Sequence, residues 1–186
     1  MTDAQPKTAK GRLEAAFDWM EAAIFALVGV ALVFTFLFRV VGVDGRSMES
    51  TLLHNDRLIL QTNFYTPARG DIVVINRTND EPLIKRILAL PGDSIDIDEA
   101  GRVVLNGKIL DEPYLDPAML EEGSKTPRFD FEGPLSIPAG YAFVMGDHRT
   151  VSKDSRSLEI GLVRLQDIAG KAVFRIWPPT AIGGIY

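Results

Sequence analysis

The amino-acid sequence predicts a mostly β fold, in which an antiparallel β-sheet domain follows a single N-terminal transmembrane helix. Three observations support this prediction. The 186-residue chain has one long apolar run, at residues 22–43. The rest of the chain contains short runs rich in β-branched residues, bounded by Gly, Pro and Asp. Asn106-Gly107, between two such runs, is a strong signal for a two-residue hairpin turn.

The N-terminal part is predicted to be a tail, residues 1–21, followed by a membrane-spanning helix, residues 22–43. As a helix, the apolar run would measure about 33 Å, against a hydrocarbon core of about 30 Å. Trp19 and Arg39 lie near its two ends, where membrane-interface residues are common. A cleavable signal peptide is the alternative, but its apolar region is usually shorter, about 7–15 residues.

Composition narrows the possible functions. The formal net charge is -5, with acidic and basic residues interspersed, so the sequence offers no basic stripe for nucleic acid. Cysteine is absent, which excludes disulfides, thiol nucleophiles and cysteine-rich metal sites. The chain has two histidines, His54 and His148, far apart in sequence, and no phosphate-binding glycine loop. We therefore expect neither a metal nor a cofactor.

Residues 44–186 are predicted to form the β domain. We predict eight strands in it: Arg57–Gln61, 71–75, 83–90, 94–98, 102–105, 108–110, Tyr141–Met145 and Ile168–Trp177. Residues 111–138 contain several prolines and glycines and are expected to form a long loop.

Ser47 and Lys85 are the first candidate site residues. Ser47 lies in a turn of small residues just after the apolar run, so any target should be close to the membrane surface. Lys85 lies in the predicted strand 83–90, where alternation places apolar residues on both faces. Burial would lower the lysine pKa from about 10.4 to roughly 7–8, and a neutral lysine beside a serine is a general base beside a nucleophile. The alternative is a strand end from which Lys85 reaches solvent.

A third segment, residues 146–156, is dense in polar residues and follows the predicted strand Tyr141–Met145. It is either a solvated loop or a polar shelf that holds the base in place.

Five segments, in order along the chain, resemble those of the bacterial type I signal peptidases, which are membrane-bound serine–lysine leader peptidases. They are Ser47-Met48-x-x-Thr51-Leu52, Gly70-Asp71-Ile72-Val73-Val74, Lys85-Arg86-Ile87 through Pro91-Gly92-Asp93, Asn106-Gly107-Lys108 with Asp111-Glu-Pro-Tyr114, and Gly146-Asp147-His148-Arg149-x-x-Ser152-x-Asp154-Ser155-Arg156. The single span and the short insertions resemble the compact, Gram-positive-like form.

The resemblance implies a role for each matched residue. Ser47 would be the nucleophile, its backbone N–H an oxyanion donor, and Lys85 the general base, with Ser152 orienting the lysine amine. Supporting ion pairs would come from Asp147, Arg86, Asp154 and Arg156. Met48 and Leu52 would lie near the substrate and the lipid surface.

The same resemblance implies the substrate and the location. The substrates would be secretory preproteins with an Ala-x-Ala pattern before the cut. The partners would be these preproteins and the lipid bilayer, with no nucleic acid. The enzyme would be a single-pass protein of the cytoplasmic membrane, with its N terminus inside and its catalytic domain on the extracytoplasmic face.

The sequence departs from the family pattern at two positions. Ser50 stands where the family usually has Pro, which predicts a looser loop and adds a rival serine. His148 stands where Asn is common, which raises the alternative of a histidine base. A different Ser/Lys peptidase on the same fold and an anchored binding protein without activity also remain open.

Overall fold

The structure is a computed structural model that describes residues 9–78, 80–116 and 126–185. Parts of two predicted segments therefore lie outside the described residues: positions 1–8 of the tail, and positions 117–125 of the loop at 111–138. The chain divides into two compact units, residues 1–38 and 39–186.

The N-terminal unit is one helix, α1, spanning Ala9–Leu37. Its segment Leu13–Leu37 is long and apolar enough to cross a membrane, at about 37 Å of helix. Large apolar side chains such as Phe25 and Leu27 are about two-thirds exposed. The hydroxyl of Thr35 donates to the carbonyl of Ala31 at 2.8 Å, which satisfies this polar group within the helix.

The predicted end of this helix was wrong. The helix ends at Leu37, and Phe38–Gly42 form a strand, β1, instead of the last turns of a helix that reaches residue 43. The physical reason lies in the residues: Val40 and Val41 are β-branched and Gly42 is a poor helix former, so this end of the apolar run favours an extended chain.

The C-terminal unit contains two antiparallel sheets. The strands after β1 are β2 Arg57–Gln61, β3 Ile72–Arg77, β4 Asp80–Ala89, β5 Ser94–Ile97, β6 Val103–Leu105, β7 Lys108–Ile109, β8 Leu135–Ser136, β9 Tyr141–Met145, β10 Val163–Arg164, β11 Ile168–Trp177 and β12 Gly183–Gly184. The larger sheet has the order β1-β2-β11-β3-β4-β9-β10, with β12 paired to β11, and the smaller sheet has the order β7-β6-β5-β8.

The predicted mostly β fold is confirmed, and all eight predicted strands are present. Three have the predicted bounds (β2, β9 and β11), and the others shift by one to three residues at an end. Asn106 and Gly107 both have positive φ, 53° and 78°, and connect β6 to β7 as the hairpin signal predicted. Besides β1, the strands missed were β8, β10 and β12, each of two residues.

The central strands of the larger sheet are covered on both faces, which positions the site. Val74 and Ile84 pack in one apolar cluster, whereas Val73 and Leu83 pack in another. Lys85 lies opposite Val73 in the register of β3 and β4. A lysine at this position starts inside the apolar core, as expected for a strand covered on both sides.

Candidate active site

The backbone of the candidate nucleophile lies in a turn held by the core. Two backbone amides, from Thr51 and Leu52, donate to the carbonyl of Met48 at 3.0 and 2.8 Å. The side chains of Met48 and Leu52 are buried. These contacts fix the loop of residues 47–52, which we call the nucleophile loop, and leave Ser47 partly exposed at its start.

The structure brings the two main candidates together. Lys85 Nζ lies 2.7 Å from Ser47 Oγ and 2.9 Å from the carbonyl oxygen of Ile84. Only 2% of Lys85 is exposed. The alternative of a solvent-reaching lysine at a strand end is therefore wrong.

Burial lowers the pKa of Lys85 from 10.5 to about 8. The nearby carboxylates of Asp154 and Asp147 oppose this shift because they stabilise the ammonium form, whereas Arg156 adds to it. With a pKa of about 8, roughly one amine in ten is neutral at pH 7. The neutral amine is able to accept the proton of an adjacent hydroxyl.

A buried ion pair joins the lysine strand to the nucleophile loop. Arg86 Nε and Nη2 donate to Asp147 Oδ1 and Oδ2 at 2.9 and 2.7 Å. The hydroxyl of Thr51 donates to the same carboxylate at 2.5 Å. Arg86 Nη1 also donates to the carbonyl of Gly70 at 2.8 Å, and its guanidinium lies 3.8 Å from the ring centroid of Tyr114. Both partners of the pair thus have further hydrogen bonds, which help to offset the free-energy cost of removing two charges from water.

A second buried pair lies within the segment 146–156. Arg156 Nε and Nη2 donate to Asp154 Oδ1 and Oδ2, each at 2.8 Å, and the amide of Gly146 donates to Asp154 at 3.0 Å. Burial raises the pKa of Asp154, but the hydrogen bonds and charge of Arg156 outweigh it and hold that pKa below its usual value. Four charged side chains of the segment 146–156 are therefore buried in the domain, namely Asp147, Arg149, Asp154 and Arg156, so the segment is not a solvated loop.

The dyad opens onto a cleft of about 890 Å³. Apolar side chains that line it include Val41, Met48, Leu60, Val74, Ile84 and Ala169. Two strand edges also line the cleft. One belongs to β1, the end strand of its sheet. The other belongs to residues 80–85 of β4, because in the described residues β4 pairs with β9 only from Arg86 onward. Free strand edges beside an apolar cleft are suited to binding an extended peptide.

The sequence matches known proteins over most of its length. The profile of the family described as "Signal peptidase, peptidase S26" matches residues 16–177. The chain belongs to this family. It is therefore a serine endopeptidase, and the resemblance read from the five segments is confirmed.

Several curated signal peptidases are similar to the chain. A signal peptidase I from Bacillus amyloliquefaciens is 38% identical, with 96% of each chain covered. Signal peptidase I S from Bacillus subtilis strain 168 is 38% identical, covering 87% of this chain and 89% of the relative. A solved signal peptidase I from Enterococcus faecalis V583 is 26% identical, with a TM-score of 0.48, and covers 57% of this chain and 97% of that one.

Two predictions on individual family positions do not match the structure. The first concerns Ser152, which was expected to orient the amine of Lys85. Lys85 Nζ instead contacts Ser47 and Ile84, and within the described part of the chain Ser152 Oγ has no well-aligned hydrogen bond. The Ser152 hydroxyl does help to lower the pKa of Asp154. Ser152 is nevertheless close to the nucleophile loop, since a Cβ on Gly146 would collide with both Ser152 Oγ and the Ser47 carbonyl oxygen. Gly146 thus keeps open the narrow space where these two segments meet.

The second mismatch concerns Met48 and Leu52. Their side chains are 2% and 0% exposed, so the expected contact with lipid was wrong. Both pack in the domain's own core, in the same apolar cluster as Leu58 and Leu60. Met48 nevertheless forms part of the wall of the cleft.

Sequence reasoning missed several residues that support the nucleophile loop. Arg175, on β11, donates to the carbonyl of Thr51 at 2.6 Å and pairs with Asp56 at 3.0 Å. Tyr114 stacks on Arg86, and Glu49 bonds to His148. Arg175 lies 124 residues from Thr51, and nothing local in the sequence marks such a pairing.

Ser50 has a conformation that the usual family residue does not adopt. Its φ is +70°, whereas proline is fixed near −65°. The Ser50 hydroxyl donates to the carbonyl of Tyr114 at 3.0 Å. The loop is therefore tethered at this position by one side-chain hydrogen bond, and the looser loop expected from the missing proline stays a prediction.

This conformation predicts a larger loss of stability for one substitution of Ser50 than for another. Ser50→Pro should lower the free energy of unfolding by about 1–3 kcal/mol and reduce turnover, because the loop must rearrange to accept φ near −65°. Ser50→Gly should stay within about 1 kcal/mol of the parent, since glycine accepts positive φ and only one exposed hydrogen bond is lost. Urea denaturation in detergent, with turnover measured in parallel, provides the comparison. A proline variant as stable and active as the parent would show that the loop tolerates the family's usual backbone.

Proposed function

We propose that this enzyme removes N-terminal signal peptides from exported preproteins, with Ser47 as nucleophile and Lys85 as general base. The observation that carries the proposal is the 2.7 Å contact between a buried lysine amine and a serine hydroxyl at the end of an apolar cleft. The family and its curated relatives support signal-peptide removal.

The mechanism follows from the geometry of the two side chains. Neutral Lys85 accepts the proton of Ser47 Oγ as this oxygen attacks the carbonyl carbon of the residue before the scissile bond. The Ser47 backbone N–H donates to no other group among the described residues, so it is available to the negative charge that develops on the carbonyl oxygen. The ammonium of Lys85 then donates its proton to the leaving amine, which leaves an acyl-enzyme on Ser47.

Deacylation uses the same groups in reverse. Lys85, neutral again after the amine has left, accepts a proton from water as the water oxygen attacks the ester carbonyl. Lys85 returns this proton to Ser47 Oγ when the ester bond breaks. The ion pairs Arg86–Asp147 and Asp154–Arg156 take no proton in either half; they hold the two loops beside the lysine strand.

The substrate is an extended segment of a preprotein, with small residues at the first and third positions before the cut. An extended peptide pairs with the strand edges and directs alternate side chains into the cleft. The apolar part of the lining, which includes Met48 and Ile84 next to the dyad, is suited to small uncharged side chains at these positions.

The protein acts at the cytoplasmic membrane, with the N terminus inside, the helical segment Leu13–Leu37 in the bilayer, and the catalytic domain on the extracytoplasmic face. Helix α1 provides the anchor. Ser47 follows Leu37 by ten residues, a length of chain that spans at most about 35 Å. The hydroxyl is thus tethered near the surface from which a translocated signal peptide emerges.

The direct test uses the full chain in detergent or lipid vesicles with a peptide that carries one Ala-x-Ala site. We expect a single cut after the second alanine, no cleavage when that alanine is replaced by tyrosine, and no cleavage by Ser47→Ala. Cleavage that is indifferent to the residue before the cut would overturn the substrate assignment. Full activity in Ser47→Ala would overturn the assignment of the nucleophile.

A further inference from the structure

We propose that His148 is a positioning residue that, together with Glu49, holds the nucleophile loop at its working distance from Lys85. This inference rests on the proposed function, because it assumes that Ser47 is the reacting group. It gives His148 a role that is different from that of a general base.

The backbone of His148 contacts the nucleophile loop directly. Its N–H donates to the carbonyl oxygen of Ser47 at 3.1 Å. Its own carbonyl oxygen accepts from the amides of Val151 and Ser152, at 3.2 and 3.1 Å. The backbone of His148 therefore connects Ser47 to the polar segment 146–156.

The ring of His148 forms a second contact with the same loop. Its Nδ1 lies 2.9 Å from Glu49 Oε2, and these two side chains are only 10% and 13% exposed. The hydrogen bond from Arg46 lowers the pKa of Glu49, an effect that His148 reinforces and that partial burial opposes. An ionised carboxylate only accepts hydrogen bonds, so the Nδ1 atom of His148 carries the hydrogen in this contact.

The contacts of His148 complement those of its neighbour in sequence. Asp147 accepts from Thr51 near the end of the nucleophile loop, whereas His148 holds Ser47 and Glu49 near its start. Without the ring contact, the start of the loop would lose one of the two attachments to the polar segment that the described residues show. A shift of about 1 Å at a reacting atom is enough to reduce the rate by as much as about 10²-fold.

The geometry of the ring contact also defines a conservative replacement. Asparagine carries an amide nitrogen, Nδ2, at the same number of bonds from the backbone as Nδ1 of histidine. An asparagine at position 148 is thus able to donate to Glu49, although it has no group that could serve as a general base in place of imidazole. This difference separates a positioning role from a proton-transfer role.

The test compares four variants of the full chain on the Ala-x-Ala peptide. We expect His148→Ala to lower kcat about 10-fold with KM changed less than about 2-fold, because the ring acts on the reacting geometry and not on substrate affinity. His148→Asn should retain kcat within about 2-fold of the parent. Glu49→Ala should reproduce the loss seen in His148→Ala, and Lys153→Ala, in the same segment but on the exposed surface, should match the parent.

Hydrogen exchange of the peptide covering residues 47–52 provides a readout that does not depend on activity. His148→Ala and Glu49→Ala should speed exchange in this peptide, and His148→Asn and Lys153→Ala should not. The inference is overturned if His148→Asn is as impaired as His148→Ala, or if Glu49→Ala leaves both kcat and exchange unchanged. Failure of the proposed function is separable, since it would appear as hydrolysis that survives in Ser47→Ala, whatever the exchange result.

Discussion

Replacing Lys85 with methionine is expected to lower kcat/KM by at least about 10³-fold while the domain stays folded. Methionine keeps the length and apolar character of the side chain but removes the amine that accepts the proton of Ser47. General acid–base catalysis by one positioned group typically contributes about 10²–10⁴-fold, and here the same amine serves attack, leaving-group protonation and deacylation. The measurement is turnover of the Ala-x-Ala peptide by equal amounts of folded parent and variant, with folding checked by circular dichroism.

The pH dependence gives this prediction a sign. The active form of Lys85 is neutral, so kcat/KM should rise tenfold per pH unit below a pKa of about 8 and level off above it. This rising part of the curve is its acid limb, and the residual activity of Lys85→Met should lack it. His54→Ala and His148→Asn should both keep it, since neither imidazole is the base. A limb that persists unchanged in Lys85→Met, or that disappears in His148→Asn, would assign the proton transfer to another group.

The strand that carries Lys85 was predictable because it follows from a local pattern. Apolar residues flank the lysine at both odd and even positions, which is typical of a strand covered on both faces, although a strand end from which Lys85 reaches solvent also fitted the sequence. The structure covers both faces with apolar clusters: Val74 and Ile84 pack in one, and Val73, the neighbour of Lys85 in the sheet, packs in the other. The strand could therefore be predicted from the sequence, and the structure decided between the two environments that the sequence allowed for its amine.

The end of the membrane helix was less predictable because hydropathy does not separate helix from strand. Residues 38–43 continue the apolar run, but Phe38–Gly42 form the edge strand β1 next to β2 and not a further turn of helix. The apolar residues of this segment belong to the β domain, where Val41 packs against the cluster that contains Met48 and Leu52. A count of apolar residues cannot distinguish that environment from lipid.

The supports of the nucleophile loop could not be predicted because they are contacts between distant segments. Arg175 and Tyr114 reach the loop from 124 and 64 residues away. Their partners, the carbonyl of Thr51 and the hydroxyl of Ser50, carry no specific sequence signal. Ser152 illustrates the reverse case, since its family position predicted a hydrogen bond to Lys85 that the geometry does not show.

The second large effect is expected from the buried pair between Arg86 and Asp147. Asp147→Ala should lower the free energy of unfolding by about 3–5 kcal/mol, because it leaves the buried guanidinium of Arg86 without its carboxylate. The exposed pair between Arg164 and Asp167 has the same two-point geometry, with distances of 2.7 and 3.0 Å. Asp167→Ala should cause no measurable change because solvent replaces the lost contact. Urea denaturation of all three proteins in the same detergent makes the comparison.

Asp147 also contributes to the chemistry through its charge. Its carboxylate raises the pKa of Lys85, so Asp147→Asn, which keeps the size of the side chain, should move the limb in kcat/KM to a pH below about 8. The direction distinguishes an electrostatic effect from simple loosening of the site, because a loosened site would admit water and move the limb upward towards the ordinary lysine value. A limb that moves upward in Asp147→Asn would therefore show that Asp147 acts mainly by keeping water away from the Lys85 amine.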